Sequence, residues 1–134
     1  MDETERYEQG LAVRRSVLGD THVDHALEGG NDLNREFQDF ITRYAWGEIW
    51  SRPGLDRKQR SLITLAMLVA LNRPEELEMH VGAAVRNGVT REEIKEVLLQ
   101  AGIYCGLPAA NAALRLAGKV FAAADAGPAS PAQP

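Results

Sequence analysis

The sequence predicts an all-α protein, and three observations support this. Apolar residues recur at intervals of three and four over successive stretches, which is the spacing of one face of a helix. Proline, glycine and asparagine separate these stretches. No segment shows the alternation of apolar and polar residues that is typical of a strand. We expect about six helices in a compact single domain at residues 1–125, followed by a flexible Ala- and Pro-rich tail at residues 126–134.

Composition restricts the classes of function. A chain of 134 residues with 45% hydrophobic and 25% charged residues is the size of one globular domain. Its net charge of −4 gives no general attraction to nucleic acid or to an anionic membrane. The acidic N-terminus does not resemble a signal peptide, and the apolar run at 62–71 is shorter than the roughly 20 residues of a membrane span. The single cysteine, Cys105, excludes an internal disulfide. We therefore expect a cytoplasmic protein with no nucleic-acid or membrane partner.

The first predicted helix covers residues 3–17. Four residues at helical spacing fall on one face of it: Tyr7, Leu11, Arg14 and Leu18. Gly19 is a suitable stop, because glycine adopts the left-handed conformation that commonly ends a helix. A short connector containing His22 follows, and Gly29 with Gly30 is expected to break any helical turn in it.

Residues 32–50 form the second predicted helical stretch. They carry an apolar stripe made of Phe37, Phe40, Ile41 and Tyr44. Trp46 and Trp50 are four residues apart, so they are expected to stack on one face. The sequence Arg52-Pro53-Gly54 ends this stretch.

The centre of the chain, residues 56–88, is predicted to be a helical hairpin. Asp56 is a suitable N-cap for the first helix. The nearly continuous apolar run at 62–71 predicts that this helix is enclosed on most sides, which favours self-association in so short a chain. Asn72-Arg73-Pro74 predicts a tight break, and Pro74 suits the first position of the second helix. Its inward residues are expected to be Leu77, Val81, Ala84 and Val85, with a stop at Asn87-Gly88.

Two further helices complete the predicted fold. Thr90 and Glu93 have the spacing of a capping box. The inward stripe of the helix that they begin is expected to comprise Ile94, Val97, Leu98 and Ala101. Gly106 ends that helix, Cys105 near its end is expected to pack in the core, and Pro108 opens the last helix. The expected anchors of the last helix are Leu114, Ala117 and Phe121.

His80 is the first candidate for chemistry. Helical spacing places it about 60° from Leu77, at the edge of the buried face, with Arg73 and Glu76 on the same edge. A carboxylate four residues away orients an imidazole and raises its basicity. The alternatives are that His80 is a structural or surface residue and that Glu76 only favours the helix dipole.

Cations at the start of the central helix are the second candidate. Arg57, Lys58 and Arg60 lie in its first turn, where the helix dipole disfavours positive charge. A solvated surface tolerates this arrangement, whereas a bound carboxylate would make use of it. Arg60 borders the apolar run and is therefore the strongest of the three, and Arg52 is a similar candidate.

From Tyr44 to Leu114 the sequence resembles the carboxymuconolactone decarboxylase family, and the likeness extends from Val17 to Phe121. The segments Tyr44–Leu55 and Glu76–Gly88 carry it most specifically. The wider superfamily includes alkylhydroperoxidase D-like peroxidases, which use a CxxCxxxH motif. Here Arg73 and Glu76 stand where the two cysteines of that motif would precede His80, so the resemblance excludes thiol peroxidase chemistry.

The resemblance implies decarboxylation of 4-carboxymuconolactone to 3-oxoadipate enol-lactone and CO₂, in the protocatechuate branch of the β-ketoadipate pathway. It implies no metal or organic cofactor, because the lactone carbonyl accepts the electrons, and a homo-oligomer, either a trimer or a hexamer. The residues expected to be catalytic are His80, Glu76 and Arg60. The residues expected to bind the anionic lactone are Arg73, Arg52, Trp46, Trp50 and, from a neighbouring subunit, His22. Two alternatives stay open: a family enzyme with another small lactone or acid as substrate, and a non-enzymatic oligomeric helical module.

Overall fold

The chain is helical in the computed structural model, which describes residues 1–29 and 31–127. Over these ranges there are helices and turns but no strand, so the all-α prediction is confirmed. The predicted break at Gly30 and the predicted tail beyond Gly127 lie outside the described residues. The chain divides into two compact units, and the boundary lies between Arg60 and Ser61. The single domain at residues 1–125 stays a prediction.

The first unit contains α1 (Glu3–Leu18), α2 (Asp20–Glu28), α3 (Arg35–Ile41) and a π-helix (Thr42–Ile49). Gly19, at φ 91°, ends α1 as predicted and lets the chain turn at once into α2. His22 therefore lies in a nine-residue helix, and the prediction that it occupies a connector was wrong. Gly19 is the C-cap of α1 and also the N-cap of α2, so the two helices follow each other with no connector between them.

The π-helix packs against α1 through two glycines. A side chain at Gly10 would overlap the carbonyl oxygen of Thr42, and a Cβ atom at Gly47 would lie 2.6 Å from the carbonyl oxygen of Arg6. The Gln9 amide donates a hydrogen bond of 3.0 Å to the Gly47 carbonyl, and Arg6 forms an ion pair with Glu48. The two backbones approach each other closely because neither glycine has a side chain.

This contact changes which residues of the first unit are buried. The buried residues of α1 are Gly10, Val13, Arg14, Val17 and Leu18. Tyr7 and Leu11 are only half-buried. The apolar stripe of residues 37–44 is not a buried face, because Phe37 and Phe40 are each 59% exposed. The π-helix buries Thr42, Trp46 and Gly47 instead.

The second unit is built on α4 (Arg57–Ala70, which begins in the first unit), α5 (Pro74–Arg86), α6 (Arg91–Cys105) and α7 (Leu107–Ala126). Asp56 caps α4 by accepting a hydrogen bond of 2.7 Å from the Gln59 amide, as predicted. The capping box at Thr90 and the stop at Gly106, with φ 107°, are also confirmed. Aliphatic and alanine side chains from all four helices form one buried cluster: Leu65, Val69, Leu77, Val81, Ala84, Val89, Ile94, Leu98, Ala101, Ala113 and Ala117.

Three residues of this unit that were predicted to be buried, Val85, Leu114 and Cys105, are exposed, and one apolar helix face is left uncovered within the chain. Helix α4 buries only the face of Ser61, Leu65 and Val69 within the chain. The predicted enclosure of its apolar run therefore requires self-association, which stays a prediction. The opposite face is exposed, with Ile63 at 43%, Met67 at 51% and Leu71 at 61%. Two predicted inward residues, Val85 and Leu114, are exposed, because Ala83 and the alanine row of α7 take the inner positions. Cys105 is likewise exposed.

Among the described residues, no helix combines the length and the apolar character that crossing a membrane requires.

Replacing Gly10 by alanine tests the close approach of α1 and the π-helix. We expect the variant to lose at least about 2 kcal/mol of unfolding free energy, because the new Cβ forces the backbones apart. Urea unfolding monitored by circular dichroism measures this difference.

Gly118→Ala is the matched control, since an added Cβ on that exposed face of α7 meets nothing within 4 Å. It is expected to be neutral or to stabilise by up to about 1 kcal/mol through helix propensity. Equal stability of Gly10→Ala and the wild type would contradict the described packing.

Candidate active site

The turn between α4 and α5 positions the predicted catalytic edge. Asn72 adopts a left-handed conformation, with φ 56°. The Arg73 amide donates a hydrogen bond of 3.0 Å to the Leu68 carbonyl, which closes the turn. Pro74 then begins α5 at the position where a missing N–H group costs nothing. The predicted break and helix start are therefore both confirmed.

His80 lies at the rim of the buried face of α5. Leu77 and Val81 are buried at 4% and 0% exposure, whereas His80 is half-buried and Glu76 is exposed. Helical spacing makes Glu76 and His80 neighbours on one edge, one turn apart. The imidazole is thus accessible at the border of an apolar layer, as predicted. Glu76 also lies in the first turn of α5, where the helix dipole favours an acid.

Arg73 has a structural role that the sequence did not indicate. Its Nη1 atom donates hydrogen bonds of 3.0 Å to the Leu71 carbonyl and 3.4 Å to the Asn72 carbonyl. These carbonyls lie at the C-terminal end of α4, where a cation is favourable. The guanidinium therefore caps α4, and Arg73 as a whole is exposed.

Two of the cavities in the second unit bear on the candidate site. The first, of about 50 Å³, is lined by Arg73, Leu77 and residues of α4 and α7, and is too small for a lactone with two carboxylates. The second measures about 330 Å³ and lies between α4 and α6. Apart from Gln100, Tyr104 and Cys105, its lining is apolar: Leu62, Ile63, Ala66, Val97 and Ala101. Its size suits a small ligand.

The predicted cations of the first unit are held by side-chain hydrogen bonds. Arg60 donates a hydrogen bond of 3.2 Å from Nη2 to the Arg52 carbonyl, so the structure brings these two candidates together. Arg60 is half-buried and Arg52 is exposed. Arg57 donates from Nη1 to Ser16 Oγ at 2.5 Å, which ties the start of α4 to α1. The half-buried Arg60 is the best placed of the three to bind a carboxylate in a partly desolvated setting.

Trp46 and Trp50 stack as predicted. Their ring centroids are 4.9 Å apart, with an angle of 28° between the ring planes. Trp46 is 6% exposed, and Trp50 is half-buried. The pair therefore forms one aromatic surface, in which Trp46 lies in the interior of the first unit and Trp50 is partly exposed to solvent. His22 is half-buried beside the fully buried Val23 on α2, and its role stays a prediction.

The structure thus brings the candidates together in two groups, one in each unit. Trp46 stacks on Trp50 in the first unit, where Arg60 also holds Arg52. Arg73, Glu76 and His80 share an edge of α5 in the second unit. Across residues 1–29 and 31–127, no group of three or more His, Cys, Asp or Glu side chains has the arrangement of a metal site.

One further residue, Arg14, was not among the functional residues predicted from the sequence. It is a buried arginine, 3% exposed, that contacts the π-helix. The available signal was its place on the same helix face as Tyr7, Leu11 and Leu18.

Fold and site define a small all-α protein with a histidine at a helix edge. An arginine and a glutamate occupy the positions that the thiol peroxidases of the wider superfamily fill with cysteines. The chain belongs to the carboxymuconolactone decarboxylase family, whose sequence model matches residues 35–119.

Three relatives show how near this relationship is. The chain is 55% identical over 121 residues to the 4-carboxymuconolactone decarboxylase of Acinetobacter baylyi, an alignment that covers 90% of each protein. It is 46% identical over 102 residues to the nitrosuccinic acid decarboxylase of Metarhizium robertsii, covering 76% of this chain and 71% of that enzyme. A 48-residue sequence of the Pseudomonas putida 4-carboxymuconolactone decarboxylase is 60% identical over its whole length and covers 36% of this chain.

Replacing Trp50 by phenylalanine tests the aromatic pair. Two stacked indoles produce an exciton couplet in the circular dichroism spectrum, and we expect the variant to lose this couplet. Since phenylalanine keeps an apolar ring at a half-buried position, the loss of unfolding free energy should stay below about 1.5 kcal/mol. A couplet that persists in folded Trp50→Phe would mean that the two indoles do not stack in solution.

Proposed function

We propose that this protein decarboxylates 4-carboxymuconolactone to 3-oxoadipate enol-lactone and CO₂. The observation that carries the proposal is 55% identity over 90% of both chains to an enzyme of that name. The conclusion is that the protein is a carboxy-lyase that acts on a small anionic lactone.

The reaction makes three demands on the protein. The bond between a ring carbon and its carboxylate breaks, and the electron pair moves through the ring double bond to the lactone carbonyl. The protein must hold two carboxylates, stabilise the negative charge that develops on the carbonyl oxygen, and return a proton to the ring carbon beside that carbonyl. The unsaturated lactone is itself the electron sink.

We assign the proton transfer to His80. An imidazole titrates near neutral pH and can donate a proton to the dienolate anion. Its half-buried position at the edge of an apolar layer supports this role, and Glu76, one turn away, orients the ring. Arg52, Arg60 and Arg73 are the proposed partners of the substrate carboxylates, because a guanidinium binds a carboxylate through two parallel hydrogen bonds.

The aromatic pair has a different proposed role. Trp46 and Trp50 would form an apolar wall, which favours the loss of CO₂ because a carboxylate leaves as a neutral molecule more easily away from water. The near-complete burial of Trp46 and the stacking of the pair support this role.

A homo-oligomer, a trimer or a hexamer, is part of the proposal. The exposed apolar face of α4, formed by Ile63, Met67 and Leu71, supports it, since a surface of this kind is typical of subunit contacts. His22 is proposed to reach the substrate of a neighbouring subunit. We expect the enzyme in the cytoplasm, where small aromatic acids are degraded.

A second candidate substrate follows from the fungal relative. Nitrosuccinic acid is a succinate that carries a nitro group, and 4-carboxymuconolactone contains the same core, since one ring carbon bears both a carboxylate and an acetate arm. In each molecule an electron-withdrawing group, nitro or unsaturated lactone, accepts the electrons released with CO₂. The 46% identity to the nitrosuccinic acid decarboxylase favours a site that recognises this core.

An activity assay with the purified protein tests the proposal. We expect 4-carboxymuconolactone to lose its carboxylate, with CO₂ and 3-oxoadipate enol-lactone released in equal amounts. Nitrosuccinate is assayed in parallel and distinguishes the two substrates. Turnover of nitrosuccinate alone would replace the first candidate by the second, and no turnover of either acid would leave the non-enzymatic helical module as the explanation.

Replacing His80 by glutamine tests proton transfer. We expect kcat to fall by about 10² to 10⁴, the usual contribution of a general acid, while KM changes little. His25→Gln, an exposed histidine on α2, is the control and should behave as the wild type. Near-normal turnover by folded His80→Gln would remove His80 from the proposed mechanism.

Replacing Arg60 by methionine tests carboxylate binding. Loss of a charge-assisted hydrogen-bond pair is expected to raise KM at least about tenfold, with a smaller change in kcat. Arg57→Met removes the same charge one turn earlier on α4 and should change KM less than about twofold. An unchanged KM in Arg60→Met would exclude Arg60 from the binding site.

A further inference from the structure

A buried guanidinium lies where α1 meets the π-helix. Arg14, on α1, is 3% exposed. Its Nη1 atom donates a hydrogen bond of 3.0 Å to Thr42 Oγ1, and its Nη2 atom donates one of 2.8 Å to Gln38 Oε1. Both acceptors belong to the helical run that carries the aromatic pair, so a single side chain of α1 holds two successive turns of that run.

The acceptors of Arg14 are neutral, which makes its burial expensive. Its hydrogen bonds within the described residues go to a hydroxyl and an amide, and its buried Nε–H group has no acceptor there. Burial lowers the pKa of the Arg14 guanidinium, which expresses the same loss of solvation. An apolar side chain of similar length would fill the space without this cost. The guanidinium therefore does more than fill space. Its two hydrogen bonds hold Thr42 and Gln38 in a defined orientation, which apolar packing alone would not do.

These hydrogen bonds lie where α3 ends and the π-helix begins. Thr42 is the first residue of the π-helix and is fully buried. Its hydroxyl accepts from Arg14 and donates a hydrogen bond of 2.7 Å to the Gln38 carbonyl. At the other end, the Trp50 amide donates to the Ala45 carbonyl at 2.9 Å, five residues back, which is the spacing of a π-helix. Arg14 thus contacts the junction at which α-helical bonding changes to π-helical bonding.

The orientation of the aromatic pair depends on this change. A π-helix is rare and has one more residue in each hydrogen-bonded turn than an α-helix. If residues 42–49 adopted α-helical bonding, every side chain after Thr42 would rotate about the helix axis relative to α1. Trp46 would leave its buried position beside Gly47, and Trp50, with Arg52 after it, would point elsewhere.

We propose that Arg14 is a positioning residue, which fixes the start of the π-helix at Thr42 and thereby sets the orientation of Trp46, Trp50 and Arg52. The hydrogen bonds of its guanidinium go to Thr42 and Gln38, and Arg14 acts through these two residues. Its effect on catalysis rests on the proposed decarboxylase function, whereas its effect on the aromatic pair does not.

Two variants remove the interaction in different ways. Arg14→Met keeps an unbranched side chain of similar length and removes the hydrogen-bond donors. Thr42→Val keeps the shape of residue 42 and removes its oxygen, so it tests the same junction if Arg14→Met does not fold. Arg14→Lys restores the charge but can reach fewer acceptors. Arg35→Met, on exposed α3, removes a guanidinium of the same helical run whose ion pair with Asp32 is solvated, and it is the control.

The first readout needs no substrate. We expect the exciton couplet of the two indoles to fall to less than half its wild-type amplitude in Arg14→Met and in Thr42→Val. Arg14→Lys should restore part of it, and Arg35→Met should retain it fully. A merely structural role of Arg14 would lower the melting temperature of the folded variants without changing the couplet below that temperature, and this result would overturn the proposal.

The second readout uses 4-carboxymuconolactone. We expect the KM of Arg14→Met to rise at least fivefold and more than kcat falls, because the displaced residues are proposed to bind substrate rather than to transfer the proton. A wild-type KM in a folded variant with a reduced couplet would overturn the link to substrate binding. If the wild type does not turn over either acid, the proposed function fails, and the couplet alone decides the role of Arg14.

Discussion

The second unit depends on the burial of aliphatic side chains on both sides of one tight turn. Leu65 and Val69 of α4 join Leu77 and Val81 of α5 in one buried cluster. The left-handed Asn72 and Pro74 between them leave the chain only a short, fixed path. Once Leu77 and Val81 are buried, helical geometry places the residue before Val81 at the edge of the layer. The position of His80 at the edge of the layer therefore follows from the apolar packing of Leu77 and Val81.

A different constraint governs the first unit. There the backbones of α1 and the π-helix lie in contact at Gly10 and Gly47, and the buried Arg14 fixes the register between them. A close backbone contact allows little adjustment, because no flexible side chain lies between the helices. The aromatic pair is consequently held by main-chain packing and one polar junction. Such rigidity suits a surface that must hold a small substrate away from water.

Helix boundaries were predictable from sequence wherever local chemistry decides them. Gly19, Asp56, Pro74, Thr90 and Gly106 act through their own backbone preference or side-chain oxygen, and each was confirmed at its place. The edge of His80 was predictable for a related reason, since it depends only on helical spacing. The spacing of four residues also predicted that Trp46 and Trp50 stack, but it did not indicate the π-helix in which they lie. The resemblance to the carboxymuconolactone decarboxylase family was confirmed by its sequence model.

The sequence did not indicate which residues of a helix would face inward once the helices pack together. Phe37 and Phe40 are more apolar than Thr42, yet Thr42 is buried, because the π-helix rotates the stripe and Arg14 needs its hydroxyl. On α5 and α7, alanines occupy the inward positions instead of Val85 and Leu114, because small side chains allow helices to approach more closely. The apolar run of α4 predicts a helix that is enclosed on most sides, but hydrophobicity alone does not distinguish a face that is buried within the chain from one that is covered by another subunit. Sequence pattern gives the faces of each helix, and packing decides among them.

Decarboxylation in D₂O, with the product analysed before it exchanges with solvent, tests the role of His80 most directly. The account predicts one deuterium on the ring carbon beside the lactone carbonyl, placed on a single face by the wild type, because a fixed imidazole delivers it. It also predicts that His80→Gln, at its much lower rate, delivers deuterium to both faces from water. Equal labelling of both faces by the wild type, or unchanged selectivity in His80→Gln, would contradict the central claim that this histidine transfers the proton.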